Sequence, residues 1–168
     1  FPLSSEMIKE LLPWDITAKL PGLIDAMISQ LDNQYSVRDG VAVHKSATIE
    51  KGAVIKAPAV IGRNCFIGSH AYLRAGVYLG ESVIIGPGCE IKASIICQGT
   101  TMAHFNFVGD SLIGNRVNFE AGSLIANHFN ERENKRIFVR THNKLLDTGR
   151  EKFGALVGDN SRIGANAV

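Results

Sequence analysis

The sequence predicts an all-β solenoid, a left-handed parallel β-helix of hexapeptide repeats with an N-terminal helical cap and a β-hairpin insert. Three observations carry that reading. An aliphatic residue recurs every sixth position at Val37, Val43, Ile49, Ile55, Ile61, Ile67, Leu73, Leu79, Ile85 and Ile91. After one-residue slips, the series continues through Ile96, Met102 and Val108, then Ile113, Phe119 and Ile125. Neither an α-helix nor a period-2 strand produces this spacing. A short strand plus a corner does, when three such units close one triangular coil. Secondly, small residues dominate four positions later, at Ala47, Ala53, Ala59, Cys65 and Ala71, as the inside of a narrow prism requires. Thirdly, glycine often follows the key residue, at Gly62, Gly68, Gly80, Gly86, Gly109 and Gly114, where a corner with φ > 0 would favour it.

Taken in order, residues 1–36 form a helical N-terminal segment and residues 37–168 the β-helix. Ser4 or Ser5 is placed to cap a first short helix, which Pro13 should end. After Pro21, the residues Leu23, Ile24, Met27, Ile28 and Leu31 make an apolar stripe at helical spacing. Such a helix is expected to cover the open end of the solenoid, where core and strand edges are exposed. The alternative is that it docks a domain outside this chain. Residues 129–153 interrupt the repeat. Their alternation around Ile137 and Val139, then Leu145 and Leu146, with Asn143 and Lys144 between, predicts a hairpin. The repeat resumes at Val157 and Ile163, and the C-terminal coils read as truncated.

With 168 residues, 20% charged, 45% hydrophobic and a net charge of +2, the composition is that of one soluble domain. There is no basic stripe interleaved with aromatics, which argues against nucleic acid. No apolar run reaches the length of a membrane span, and the first residues do not read as a signal peptide. Cys65 and Cys89 fall on the small inward positions, and Cys97 has no basic neighbour that would mark a nucleophile. Three cysteines without a disulfide pattern fit a reducing, cytoplasmic compartment. His44 is expected to be solvent-exposed, and His70 to lie at a corner with no metal role.

Chemistry gathers around Lys56, Arg74 and Lys92. They are spaced by one coil of 18 residues, so they should stack in a column with about 4.8 Å between coils. Three stacked cations call for negative charge. It could come from solvent counter-ions or from a phosphate clamped by Arg74 and Lys92.

From Tyr72 to Asn127 the residues resemble the acetyltransferase domain of bifunctional glucosamine-1-phosphate N-acetyltransferase and uridylyltransferase enzymes. The resemblance is carried by Arg74, Lys92, His104, Gly109, Asp110, Asn118, Gly122 and Asn127, all at the family's spacing. It implies that His104 is the general base, that Arg74 and Lys92 hold the sugar phosphate, and that Asn118 and Asn127 hydrogen-bond the sugar or donor. It further implies acetyl-CoA as co-substrate, an amino-sugar 1-phosphate such as glucosamine 1-phosphate as acceptor, and a homotrimer with sites shared between subunits. No membrane or nucleic-acid partner is expected. Phe107 stands where the family has tyrosine at the substrate, and His128 where it has another tyrosine. No glycine-rich phosphate loop occurs near the start, so a nucleotidyltransferase domain is expected to lie outside this chain. A non-catalytic trimerisation or regulatory β-helix of a sugar-1-phosphate nucleotidyltransferase is the alternative function.

Overall fold

The computed structural model describes residues 9–168; the predicted cap at Ser4 or Ser5 lies outside them. The chain winds into a left-handed parallel β-helix with three flat faces. On the first face lie β4 (Val54–Ile55), the first half of β7 (Tyr72–Leu79), the first half of β9 (Glu90–Ile96), β11 (Phe107–Gly109) and β14 (Leu124–Ile125). The second face stacks β3 (Thr48–Ile49), β6 (Phe66–Ile67), β8 (Ile84–Ile85), β10 (Thr101–Met102), β13 (Asn118–Phe119) and β18 (Arg162–Ile163). The third holds β2 (Val41–His44), β5 (Ala59–Ile61), the second halves of β7 and β9, β12 (Leu112–Ile113) and β17 (Leu156–Val157).

The six-residue series is the core. Ile61, Ile67, Leu73, Leu79, Ile85, Ile91, Ile96, Met102, Val108, Ile113 and Phe119 are buried in one cluster with Cys65, Ala71, Val77, Val83 and Cys89. The slip of frame has a local cause. In β7 the corner between Arg74 and Val77 uses two residues, Ala75 and Gly76, whereas in β9 Ala93 alone turns it. Register therefore changes from Arg74↔Lys92 to Val77↔Ser94, and the coil shortens to 17 residues.

The glycines after the key residues have a different reason from the predicted one. None of them has positive φ; the left-handed corner residues are instead Asn64, His70, Ser82, Gly88, Phe105, Arg116 and their equivalents. What the glycines allow is close stacking. A Cβ on Gly62 would sit 2.6 Å from the Leu79 carbonyl oxygen, and one on Gly68 2.7 Å from the Pro87 nitrogen, both in the next coil.

Val37 is not a coil residue. It lies in β1 (Tyr35–Arg38), which runs antiparallel to β2 with Arg38 opposite Val41. The two intervening residues, Asp39 and Gly40, both have positive φ (48° and 76°), the turn that Asp-Gly favours in a tight hairpin. Val37 is consequently half exposed. His44 is buried rather than exposed. Its Nδ1 lies 2.8 Å from Ser46 Oγ and its ring meets Tyr35 edge-to-face.

Among the described residues one helix, α1 (Pro13–Ile28), covers a side of the prism and not its end. Outward residues of the third face form an apolar column, Ala42, Val60, Ile95 and Leu112, with Tyr78 half-buried among them. Ile16, Leu20 and Ile24 pack onto that column. The hexad spacing marks inward positions only and carries no sign of this outward column. Pro13 starts the helix, where a missing N–H costs nothing. Pro21 lies inside it, and its cost of about 3 kcal/mol is offset by apolar packing on both sides, at about 1.5–3 kcal/mol per buried side chain. Gly76 makes room for it, since a Cβ there would lie 3.1 Å from Pro21.

The predicted hairpin forms from β15 (Phe138–Arg140) and β16 (Leu145–Asp147), paired antiparallel. It replaces the corner between β14 and β17, and it folds back onto its own chain. Ile137 and Phe153 pack with Trp14, and the Arg150 guanidinium pairs with Asp15 at 2.7 Å.

Candidate functional site

Arg74 and Lys92 are direct neighbours in register on the first face, and Lys56 precedes them, its N–H donating to the Leu73 carbonyl. The cation column is real, and the chain itself supplies its negative charge. Arg74 donates from Nε and Nη2 to Glu90 Oε1 at 2.7 and 2.6 Å. Its guanidinium also stands 5.9 Å from the Tyr72 ring centre. Lys92 Nζ lies 2.5 Å from Asp110 Oδ2. Lys56 is exposed and has no ion pair among the described residues.

These pairs differ in environment. The Arg74 and Glu90 side chains are about one-third exposed, so water screens them and the pair contributes little, on the order of 1 kcal/mol. The side chains of Lys92 and Asp110 are only 14% and 12% exposed. Removing one partner there would strand the other in a drier site, at about 3–5 kcal/mol.

Asn127 joins the second pair. Its Nδ2 donates to the same Asp110 Oδ2 at 2.5 Å, so one carboxylate oxygen holds an ammonium and an amide. Phe107 is beside them; a Cβ on Gly109 would meet the Phe107 ring at 2.8 Å and Asn127 Nδ2 at 2.6 Å. Arg74, Lys92, Phe107 and Asn127 are thus brought together on one face.

His104 and Asn118 are not part of that group. Asn118 is on the second face, opposite Thr101 in β10 and Arg162 in β18. His104 follows β10 at the corner joining the second and first faces, where it is exposed beside Phe105. Its carbonyl accepts the Gly122 N–H, which fixes the corner backbone. Within one chain His104 is exposed and Asn118 is half-buried on the second face.

Glu90 and Asp110 were not singled out as site residues from sequence. A signal for both exists: Glu90 lies 16 residues after Arg74, and Asp110 18 after Lys92, so each falls within reach one coil later. The three thiols are free and buried. Burial pushes Cys65 up to about 11 and raises Cys89 and Cys97 as well. Among the described residues, no group of three His, Cys, Asp or Glu could hold a metal ion, and no helix is long and apolar enough to cross a membrane.

Residues 40–75 and 58–93 match the model of the bacterial transferase hexapeptide, a six-repeat unit. The chain carries bacterial transferase hexapeptide repeats. Relatives extend the similarity beyond the repeat itself. A bifunctional protein GlmU of Methanococcus maripaludis is 48% identical over 157 residues, 90% of this chain and 37% of that protein. A bifunctional sugar-1-phosphate nucleotidylyltransferase/acetyltransferase of Sulfurisphaera tokodaii is 43% identical over 84 residues, 49% of this chain and 20% of that one. This hexapeptide-repeat chain therefore spans only 20–37% of the length of these relatives. A solved perosamine N-acetyltransferase from Caulobacter crescentus aligns at 18% identity over 50% of this chain and 51% of that one, with a TM-score of 0.37, too loosely to carry an argument.

Proposed function

We propose that this hexapeptide-repeat protein is an N-acetyltransferase, moving an acetyl group from acetyl-CoA to the amine of an amino-sugar 1-phosphate such as glucosamine 1-phosphate. The observation that supports it most is the registered pair Arg74 and Lys92 beside Asn127, the chemistry for gripping a phosphate and a neighbouring polar group. In this reading the phosphate shares Arg74 with Glu90 and Lys92 with Asp110. The sugar amine attacks the thioester carbon and a C–N bond forms. The C–S bond breaks and CoA leaves as thiolate. His104 takes the proton that the amine must lose and passes it to the thiolate. Because His104 and Asn118 lie away from the cation column, the reading requires a homotrimer in which one protomer's corner faces another's first face. The compartment is cytoplasmic, where acetyl-CoA is formed and used.

The second reading is a non-catalytic trimerisation or regulatory module of a sugar-1-phosphate nucleotidyltransferase. The intramolecular ion pairs favour it, because both cations are already partnered. One experiment separates the two: thiol release from acetyl-CoA with glucosamine 1-phosphate or galactosamine 1-phosphate as acceptor. Transfer should occur with one of them and fall about a hundred- to ten-thousand-fold in His104→Ala, the usual loss for a positioned acid–base group. An unchanged rate in His104→Ala removes that residue as base. No transfer to either acceptor by the trimeric protein favours the regulatory module.

A further inference from the structure

We infer that Asp110 is the positioning residue of the anion site, holding Lys92 and Asn127 in one fixed relation and tying both to the neck of the insert. The inference rests on the acetyltransferase reading for its kinetic consequence, and on geometry alone for the rest.

The three side chains come from three successive coils: Lys92 from β9, Asp110 from the corner after β11, and Asn127 from just after β14. Nothing in the backbone pairing by itself aims a lysine and an asparagine at one point. A single carboxylate oxygen does so, accepting from Lys92 Nζ and from Asn127 Nδ2. Lysine has four rotatable side-chain bonds, and holding it loses up to about 2 kcal/mol of rotamer entropy. If Asp110 has already ordered it, a ligand need not. Asp110 is itself held, in a left-handed backbone conformation with φ of 50°, and the residue as a whole is buried.

The same two residues close the insert. The Phe153 N–H donates to the Asn127 carbonyl and the Gly154 N–H to the Asp110 carbonyl, both at 2.9 Å. A side chain at Gly154 would collide with Ser111 Oγ and the Gly109 carbonyl, so strand and insert meet without a gap. Side chains of Asp110 and Asn127 thus serve the site, while their backbones fasten the 26-residue excursion that carries the hairpin (127 and 154 flank residues 128–153). In the opposite account, Asp110 merely competes with the substrate's phosphate for Lys92.

The two accounts predict opposite signs in Asp110→Asn. This substitution keeps the size but gives the corner an amide whose N–H2 faces donors. If Asp110 positions, the KM for the amino-sugar 1-phosphate rises at least tenfold with a smaller change in kcat, because the contact is held in ground and transition state alike. Lys92→Met combined with Asp110→Asn should then lose less than the sum of the two single variants, since Asp110 acts in part through Lys92. A fall in KM for Asp110→Asn, or additive losses in the double variant, overturns the inference.

A second measurement needs no turnover. Side-chain amide resonances of Asn127 in the whole chain should exchange slowly and report a rigid group in the unmodified protein, and a mobile one in Asp110→Asn. An Asn127 amide equally mobile in both proteins overturns the inference. A rigid Asn127 in a protein that transfers no acetyl group to either sugar phosphate leaves Asp110 as the holding residue and refutes the acetyltransferase reading instead.

Discussion

Replacing Gly68 with alanine tests how the coils stack. Gly68 follows the core residue Ile67 and has no need of a left-handed backbone. The added Cβ would stand 2.7 Å from the Pro87 nitrogen, 2.9 Å from the Gly86 carbonyl carbon and 3.1 Å from the Ile85 oxygen. Ordinary contact begins near 3.4 Å, and all three obstacles are backbone atoms of the next coil. The coils must part by several tenths of an ångström, which strains the Gly68 N–H bond to the Ile85 carbonyl, now 2.7 Å. Overpacking of this kind costs about 1–3 kcal/mol. Against it stands a gain of about 0.4–1 kcal/mol from restricting the unfolded chain. A net loss of up to about 2.6 kcal/mol, centred near 1.3, remains. Gly158 is the internal control: it occupies the same repeat position after Val157, yet a Cβ there meets nothing within 4 Å. Gly158→Ala should be neutral or stabilising by about 0.4–1 kcal/mol. Urea unfolding midpoints at unchanged m-value read both. Equal midpoints for the two variants would refute close stacking as the reason for the glycines.

Two further outcomes follow from packing and burial. Leu20→Ala, at a fully buried position between α1 and the third face, should destabilise by about 2–5 kcal/mol, while Leu12→Ala, about half exposed, should stay within about 0.5 kcal/mol. A small loss at Leu20 in urea unfolding would mean that the helix does not rest on that face. Cys65, whose thiol burial pushes up to about 11, favours the protonated form in the folded state. Its contribution is complete below the ordinary thiol range near pH 9 and is lost as pH rises toward 11, up to about 2.7 kcal/mol for two units. Cys65→Ala should flatten that decline, and an unchanged pH profile between 9 and 11 would rule out the assigned cause.

A β-helix is rigid because each coil rests on the next, so residues one coil apart are held at a constant spacing. Arg74 and Lys92 inherit that spacing and stand as a fixed pair. The helix covers the third face and leaves the first and second faces free of it. On those faces Val54, Tyr72 and Ile84 remain exposed, and Phe105 projects from the corner beside His104.

Periodicity alone determined the solenoid. A hexad repeat from Val43 to Ile125 is satisfied by a single backbone path, since each inward residue has its neighbour one coil away whatever the rest of the chain does. The hairpin in the insert was legible for the same reason: alternation around Val139 and Leu146 is local. So was the stacking of Lys56, Arg74 and Lys92, which is arithmetic on an 18-residue coil. Tertiary structure decided what lies outside the prism. α1 could cover an end or a side. Only the outward column Ala42, Val60, Ile95 and Leu112, invisible to a reading of inward positions, settles it on the side. His44 is buried because Asp39 and Gly40 turn β1 back over β2, a pairing that no hexad count contains. The cations found partners in Glu90 and Asp110 because side-chain reach between coils, and not position in the repeat, chooses which charges meet. Repeats specify a backbone, and the contacts between side chains of different coils specify the site.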